Sequence, residues 1–318
     1  MSSSRRVLLT GASGHVGGRL LEYLELNSPH AVRALVRVGR QMPDWATSTE
    51  IMQGDIANPS VRETALSGID TVVHLATRSY SADIEPTPEE IAYEENVTLN
   101  LVKESVHKGV KRFIYLSSIH VYGESLEGDI DEDTPLAPRR LYGKTRLNIE
   151  RGISQISNPS MNTVLIRLTN AFGVPAIPRE ETWNLLLHDL CRQAATNRTI
   201  SLRSDDRICR DLMAMRDVVE VLSEIIISPR ITSGTYLLAS GQSMSLGDIA
   251  SLVVRLAQEE LGVQRSIQFA HRKTVSPPTF TLHSRRLREL GIVIPQRRDE
   301  EIRDLLRYAR DTTSGRST

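Results

Sequence analysis

The chain has 318 residues with 39 Lys and Arg against 39 Asp and Glu, enough for one large domain or two moderate ones. That balance excludes the electrostatic footprint of a protein that binds nucleic acid or a membrane surface. The two cysteines, Cys191 and Cys209, form no CxxC pair and lie by no histidine cluster, which argues against a disulfide framework and a structural zinc site, so no metal is expected.

Residues 1–6 run straight into a strand pattern without a secretory apolar core. No apolar run approaches the roughly 20 residues of a membrane span, so a cytoplasmic location is expected. Residues 6–10 (Arg-Val-Leu-Leu-Thr) are a short apolar run that stops at Gly11, the pattern of a buried parallel strand. Val16, Leu20, Leu21 and Leu24 then recur at helical spacing over 15–26. Further strands are expected at 31–37, 50–53, 71–76, 112–117 and 163–168, with helices near 60–67, 89–108 and 140–156. Strands separated by helices of this size imply right-handed crossovers and a doubly wound parallel α/β sheet of the Rossmann type.

After Phe172 the alternation weakens. A helix near 183–195, a strand near 199–202 and helices at 217–228, 245–261 and 299–310 suggest a smaller α/β substrate lobe over the carboxyl edge of the sheet. The expected division is a dinucleotide-binding domain over 1–171, a substrate lobe over 172–311 with parts of each interleaving, and a polar tail over 312–318. The basic run Arg285-Arg286-Leu287-Arg288 reads as a solvated helix face.

The chemistry starts at Thr10-Gly11-Ala12-Ser13-Gly14-His15-Val16-Gly17, a GxxGxxG spacing between a strand and an amphipathic helix. Gly11 permits the tight turn, Gly14 lets backbone approach a pyrophosphate, and Gly17 lets helix and strand pack closely. The helix start presents N–H groups and a partial positive charge to phosphate. At the end of the second strand stand Val36 and Arg37, with Arg40 nearby, where an acid would bind the ribose hydroxyls of NAD. An arginine there suits a 2′-phosphate, so NADP is favoured and NAD remains possible.

Several segments carry a resemblance. Besides residues 10–17 they are Gly54-Asp55-Ile56, His74-Leu75-Ala76, Asn96, and Tyr115-Leu116-Ser117-Ser118-Ile119-His120-Val121-Tyr122-Gly123. Tyr142-Gly143-Lys144-Thr145-Arg146, residues 167–173 and residues 210–218 complete the set. In that order they resemble the extended short-chain dehydrogenase/reductases, the NAD-dependent epimerase/dehydratase family that modifies nucleotide sugars. The resemblance implies that Gly11, Ser13, Gly14, His15, Val16, Gly17, Asp55, Ile56, Leu75, Ala76 and Asn96 line the cofactor. It also implies that Ser118 hydrogen-bonds the reacting oxygen, that Tyr142 is the general acid/base, and that Asn170 and Arg210 hold substrate. Family members often dimerise through the helices near 97–108 and 142–156, so a homodimer is expected.

Hydride transfer to a ketone leaves charge on oxygen, which needs a proton donor and a hydrogen-bond partner. A phenol needs a nearby cation to act as a base at neutral pH. In the family that cation is a lysine one helical turn after the tyrosine. Here the position holds Arg146, and Lys144 points elsewhere on the helix. Arg146 either takes over the electrostatic work and contacts the nicotinamide ribose, or supports a slow reaction, or leaves a dinucleotide-binding protein without turnover. His74 reads as structural, and His120 as a lesser candidate facing substrate. The loop at Ser117-Ser118-Ile119 lacks the acids that dehydratases of this fold use. The remaining readings are reduction of a nucleotide-linked 4-keto-6-deoxy sugar or related carbonyl, which Arg37 favours, and 4-epimerisation.

Overall fold

The computed structural model describes residues 5–76, 85–156, 158–196, 199–269 and 277–313. The chain opens with β1 (Arg6–Thr10), α1 (His15–Asn27), β2 (Ala31–Val36), β3 (Glu50–Gln53), α2 (Pro59–Leu66) and β4 (Thr71–His74). It continues through α3 (Pro88–His107), β5 (Arg112–Ser118), a 3-10 turn (Ile119–Tyr122), β6 (Gly128–Ile130), α4 (Leu141–Ile156), β7 (Asn162–Leu168) and β8 (Asn170–Phe172). A second 3-10 turn (Glu180–Asn184) leads to α5 (Leu186–Thr196), β9 (Thr199–Leu202), β10 (Cys209–Ala214), α6 (Met215–Ile227) and β11 (Gly234–Leu238). The last elements are β12 (Ser243–Ser245), α7 (Leu246–Leu261), β13 (Ser266–Phe269), β14 (Phe280–Leu282), α8 (Arg285–Glu289) and α9 (Arg298–Thr313).

Seven parallel strands form one sheet in the order β11-β7-β5-β4-β1-β2-β3. Its central strands are apolar along their length because helices cover both faces. Leu20, Leu21 and Leu24 of α1 and Val218, Leu222 and Ile225 of α6 pack on one face. Leu66 of α2, Leu101 and Val102 of α3, and Ile149 and Ile153 of α4 pack on the other. A separate core joins α5, α7 and α9 to β9 and β10. The strand order reverses between β1 and β4, and the crevice beyond their carboxyl ends is where α/β sheets bind ligands.

The expected parallel α/β sheet is present, and its six predicted strands match to within two residues at each end. From beyond residue 172, β11 pairs with the outer edge of β7, and α6 covers the sheet beside α1. Burying β7 on both sides requires segments from beyond residue 172. The last helix also runs on to Thr313, so 312–313 are helical rather than tail. On the helices near 97–108 and 142–156, Leu101, Val102, Leu147, Ile149 and Ile153 are buried, and a Cβ on Gly152 would lie 2.6 Å from Leu99. Arg286 of the basic run pairs with Asp133 at 2.6 Å, and Arg285 also pairs with it. Among the described residues, no helix is long and apolar enough to cross a membrane.

Arg112, buried at the start of β5, donates to the carbonyls of Ile225, Ile226, Ser228 and Ile231 at 2.8–3.0 Å. It thereby ties the central sheet to the end of α6. Arg112→Met should cost about 3 kcal/mol through unpaired buried carbonyls, read as a lower urea midpoint with an unchanged slope.

Candidate active site

The glycine-rich turn lies against the end of β4. Gly11 has φ +73°, and a Cβ there would sit 2.7 Å from the backbone of Leu75 and Ala76. A Cβ on Gly17 would lie 2.1 Å from the Gly11 carbonyl oxygen, so both positions admit only glycine. Gly14 caps α1, whose first turn carries no acid and no side-chain cap. That leaves backbone donors for an anion. Arg179 lies over the same turn, its Nη1 donating to the Ser13 carbonyl at 3.2 Å. The His15 ring, edge-on to His188 at 5.1 Å, has no hydrogen-bond partner at either nitrogen among the described residues. Burial, then the neighbouring His188, Arg19 and Arg179, lowers its pKa to about 3. This cradle fits a dinucleotide pyrophosphate, and Val16 packs behind it on the core.

Arg37 is exposed just past β2. The exposed Asp55 carboxylate accepts from the Ala57 N–H at 2.9 Å and from the Tyr93 hydroxyl at 3.2 Å. Ile56 and Leu75 are buried, Ala76 half-buried and Asn96 exposed. Asn96 shares a face of α3 with Tyr93, three residues earlier. His74 is fully buried between the Thr10 and Thr98 hydroxyls at 2.7 and 3.1 Å, and burial lowers its pKa to about 3. It is a structural group, as expected.

Ser118 ends β5, and its hydroxyl accepts the His120 N–H at 3.3 Å. α4 begins against this turn: a Cβ on Gly143 would lie 2.5 Å from the His120 carbonyl oxygen. That contact brings half-buried Tyr142 to the segment carrying Ser118, and the His120 ring stands edge-on to Tyr142 at 5.6 Å. One turn on, the Arg146 guanidinium carbon lies 4.8 Å from the centre of the Tyr142 ring. Its Nη1 donates to Glu94 Oε1 at 2.5 Å and to the Tyr115 hydroxyl at 3.0 Å, all three residues being buried. Burial alone would lower the guanidinium pKa; Tyr115, Tyr142 and Glu94 outweigh it and raise it well above the ordinary value. Lys144 is exposed, as its place on the helix required.

A second buried network docks α4 one turn further on. Glu150 accepts from the Ser117 hydroxyl at 2.6 Å and from Arg167 Nη2 at 2.8 Å, and Arg167 reaches the Tyr122 hydroxyl at 3.1 Å. On the substrate side, Asn170 donates from Nδ2 to the Asp211 carbonyl at 3.0 Å. Arg210 is exposed, and no carboxylate among the described residues pairs with it; Asp205 is taken by Arg207 at 2.8 Å. Burial and then the Arg210 charge lower the His120 pKa, which keeps its ring neutral at physiological pH.

Sequence reasoning missed Glu94, Tyr115, Tyr93 and Arg179. Glu94 sits among other acids on α3, and no spacing marks it as the partner of a residue 52 positions away.

The seven-stranded parallel sheet with a glycine-rich turn between β1 and α1 is that of the Rossmann-type α/β class. Within that class, the chain belongs to the NAD dependent epimerase/dehydratase family, which its residues 7–236 match. It is 29% identical over 251 residues to a UDP-glucose 4-epimerase of Vibrio cholerae, covering 77% of this chain and 74% of that one. Its fold is similar to that of MoeE5 in complex with UDP-glucuronic acid and NAD, with TM-score 0.80 and 24% identity, covering 96% of this chain and 99% of that one. It is also similar to a UDP-glucuronic acid 4-epimerase of Bacillus cereus in complex with NAD, with TM-score 0.80 and 19% identity over 98% and 99% of the two chains.

Gly17→Ala should introduce about 1–3 kcal/mol of strain and lower dinucleotide affinity about tenfold or more, measured by fluorescence titration with NADH and NADPH. His15 and His74, near pKa 3, and His188, lowered by burial to about 4, stay neutral when folded. Unfolded, each takes a proton near pH ~6.5. Stability should therefore hold above that pH and fall as the pH drops towards the folded values, by up to about 1.4 kcal/mol per unit per histidine. Urea midpoints at several pH values from neutral downwards test the sign.

Proposed function

We propose that the protein is a nucleotide-sugar-modifying enzyme working by reversible hydride transfer at a ring carbinol carbon, in the manner of a 4-epimerase. One observation carries the reading: Tyr142, beside the His120 ring and under the Arg146 guanidinium, stands against the turn that begins at Ser118. Gly11, Ser13, Gly14, His15, Val16 and Gly17 would hold the dinucleotide pyrophosphate, Asp55 and Ile56 the adenine, and Leu75, Ala76 and Asn96 the remainder. Bound there, the nicotinamide supplies a hydride acceptor and donor.

The chain's own groups handle the proton and the charge. Tyr142 takes the proton that the sugar hydroxyl gives up and returns it to the same oxygen. Ser118 donates a hydrogen bond to that oxygen as charge develops on it. Arg146, lying over the Tyr142 ring, is the cation nearest the phenol. Arg210, exposed and without a carboxylate partner among the described residues, would meet the substrate diphosphate, with Asn170 beside it. The acid-free segment Ser117-Ser118-Ile119 supports chemistry without loss of water. The free cysteines Cys191 and Cys209 suit a reducing, cytoplasmic compartment.

Arg37 favours a second reading. Exposed just past β2, it would suit the 2′-phosphate of NADP, and with it reduction of a 4-keto-6-deoxy nucleotide sugar.

Identification of the nucleotide released on denaturing the purified protein separates the two. Retained NAD, with epimerisation of UDP-glucose or UDP-glucuronic acid and no added cofactor, is the expected result. An empty protein that oxidises NADPH with keto sugars would replace it with the reductase. Tyr142→Phe should lower kcat by about 10²–10⁴-fold in either case, with dinucleotide affinity little changed; a fully active variant would remove Tyr142 from the chemistry.

A further inference from the structure

We propose that Glu94 is a positioning residue for this chemistry: its ion pair holds the Arg146 guanidinium across Tyr142, so that the pair, not a lone cation, is the partner of that phenol. The enzymatic consequence rests on the hydride-transfer reading, and the electrostatic one does not.

The geometry is specific. The Arg146 and Glu94 side chains are 1% and 6% exposed and meet at 2.5 Å. Tyr115 of β5 accepts from the same guanidinium nitrogen at 3.0 Å. α3, which carries Glu94, is fixed at its start by a reciprocal Thr87–Glu90 capping box behind Pro88. The guanidinium is therefore held from α3 and β5 while it lies 4.8 Å from the Tyr142 ring centre.

Three titratable groups around the Tyr142–Arg146 pair are uncharged near neutral pH. Burial lowers the pKa of His120, from the turn after β5, and raises that of Tyr115. His74 of β4, stacked on Tyr115 at 6.0 Å, is neutral with a pKa of about 3. The exposed Arg140–Glu85 ion pair stands at the start of α4, Glu85 accepting from the backbone there, and Arg210 and Glu124 act on His120. Among the buried groups described in contact with Tyr142 or with each other here, Arg146 and Glu94 carry the charge. A buried cation beside a phenol favours the phenolate, and a carboxylate in contact with that cation offsets most of the effect. Glu94 thus sets how strongly Arg146 acts on Tyr142, which a lysine without this partner would do at full charge.

The test uses the full chain labelled with ¹³Cζ-tyrosine and no substrate. The Tyr142 resonance is assigned by its loss in Tyr142→Phe and followed by NMR through an alkaline titration. Glu94→Gln should lower the Tyr142 midpoint by about one pH unit relative to the unsubstituted protein. A midpoint that moves by less than half that in the folded variant overturns the proposal and leaves Glu94 a structural partner. Should Glu94→Gln not fold, Arg146→Met with Glu94→Met removes both charges and keeps the core filled. A midpoint within about half a unit of the original then supports a neutralised pair; a larger rise shows that Arg146 acts alone and overturns it. Where a nucleotide sugar turns over, Glu94→Gln should move the acid limb of kcat down by about the same amount with KM little changed. If no sugar turns over, the NMR arm still decides on the pair, so the two readings fail separately.

Discussion

The site depends on one constraint: α4 must sit in a single register against β5, because Tyr142 rides on the helix and Ser118 on the strand. Apolar packing of Ile149 and Ile153 on the sheet fixes that register less uniquely than directional contacts do. Two buried charges one turn apart remove that freedom. Arg146 reaches Glu94 and Tyr115, and Glu150 reaches Ser117 and Arg167. A buried pair contributes little net stability against an apolar replacement, but separating it costs about 3–5 kcal/mol. Any slip of α4 would separate both. The polar network thus specifies where the helix lies more than it holds the fold together.

The same edge gathers cations, of which Arg37 and Arg210 pair with no carboxylate among the described residues and Arg179 has only Glu181 at 3.8 Å. Arg37, Arg179 and Arg210 occur at the ends of β2, over the glycine-rich turn and beside the substrate lobe, and α1 starts without an acidic residue. A ligand that spans these points and carries several phosphates satisfies them together. The buried histidines fit this arrangement because they are neutral. His15 takes no charge beside the glycine-rich turn, and His74 fills the sheet between two hydroxyls.

Much of this was legible in the sequence, for physical reasons. Gly11 and Gly17 are demanded by close approaches of backbone to backbone, so they stand at a fixed spacing between a strand and a helix. Ser118 and Tyr142 end a strand and begin a helix, which periodicity locates well. What was hidden arises between segments. Glu94 is one acid among several on an ordinary amphipathic helix, and its meaning comes only from the fold that sets α3 against α4. Tyr115 reads as one more strand residue until its hydroxyl is seen on Arg146. β11 is a short run that becomes a sheet strand because β7 would otherwise have an open edge.

The arginine at 146 is therefore not a conservative replacement judged at its own position. A planar fork can hold a carboxylate through one edge while its face lies over a ring, whereas an ammonium is a compact charge with three rotatable donors and no face to lay on a ring. With lysine at 146, that shorter head would have to reach the buried Glu94 carboxylate and the Tyr115 hydroxyl, and leaving them without their donor costs several kcal/mol. Arg146, Glu94 and Tyr115 make physical sense only as a set, and the set is what turns a departure from the family's lysine into a defined local structure.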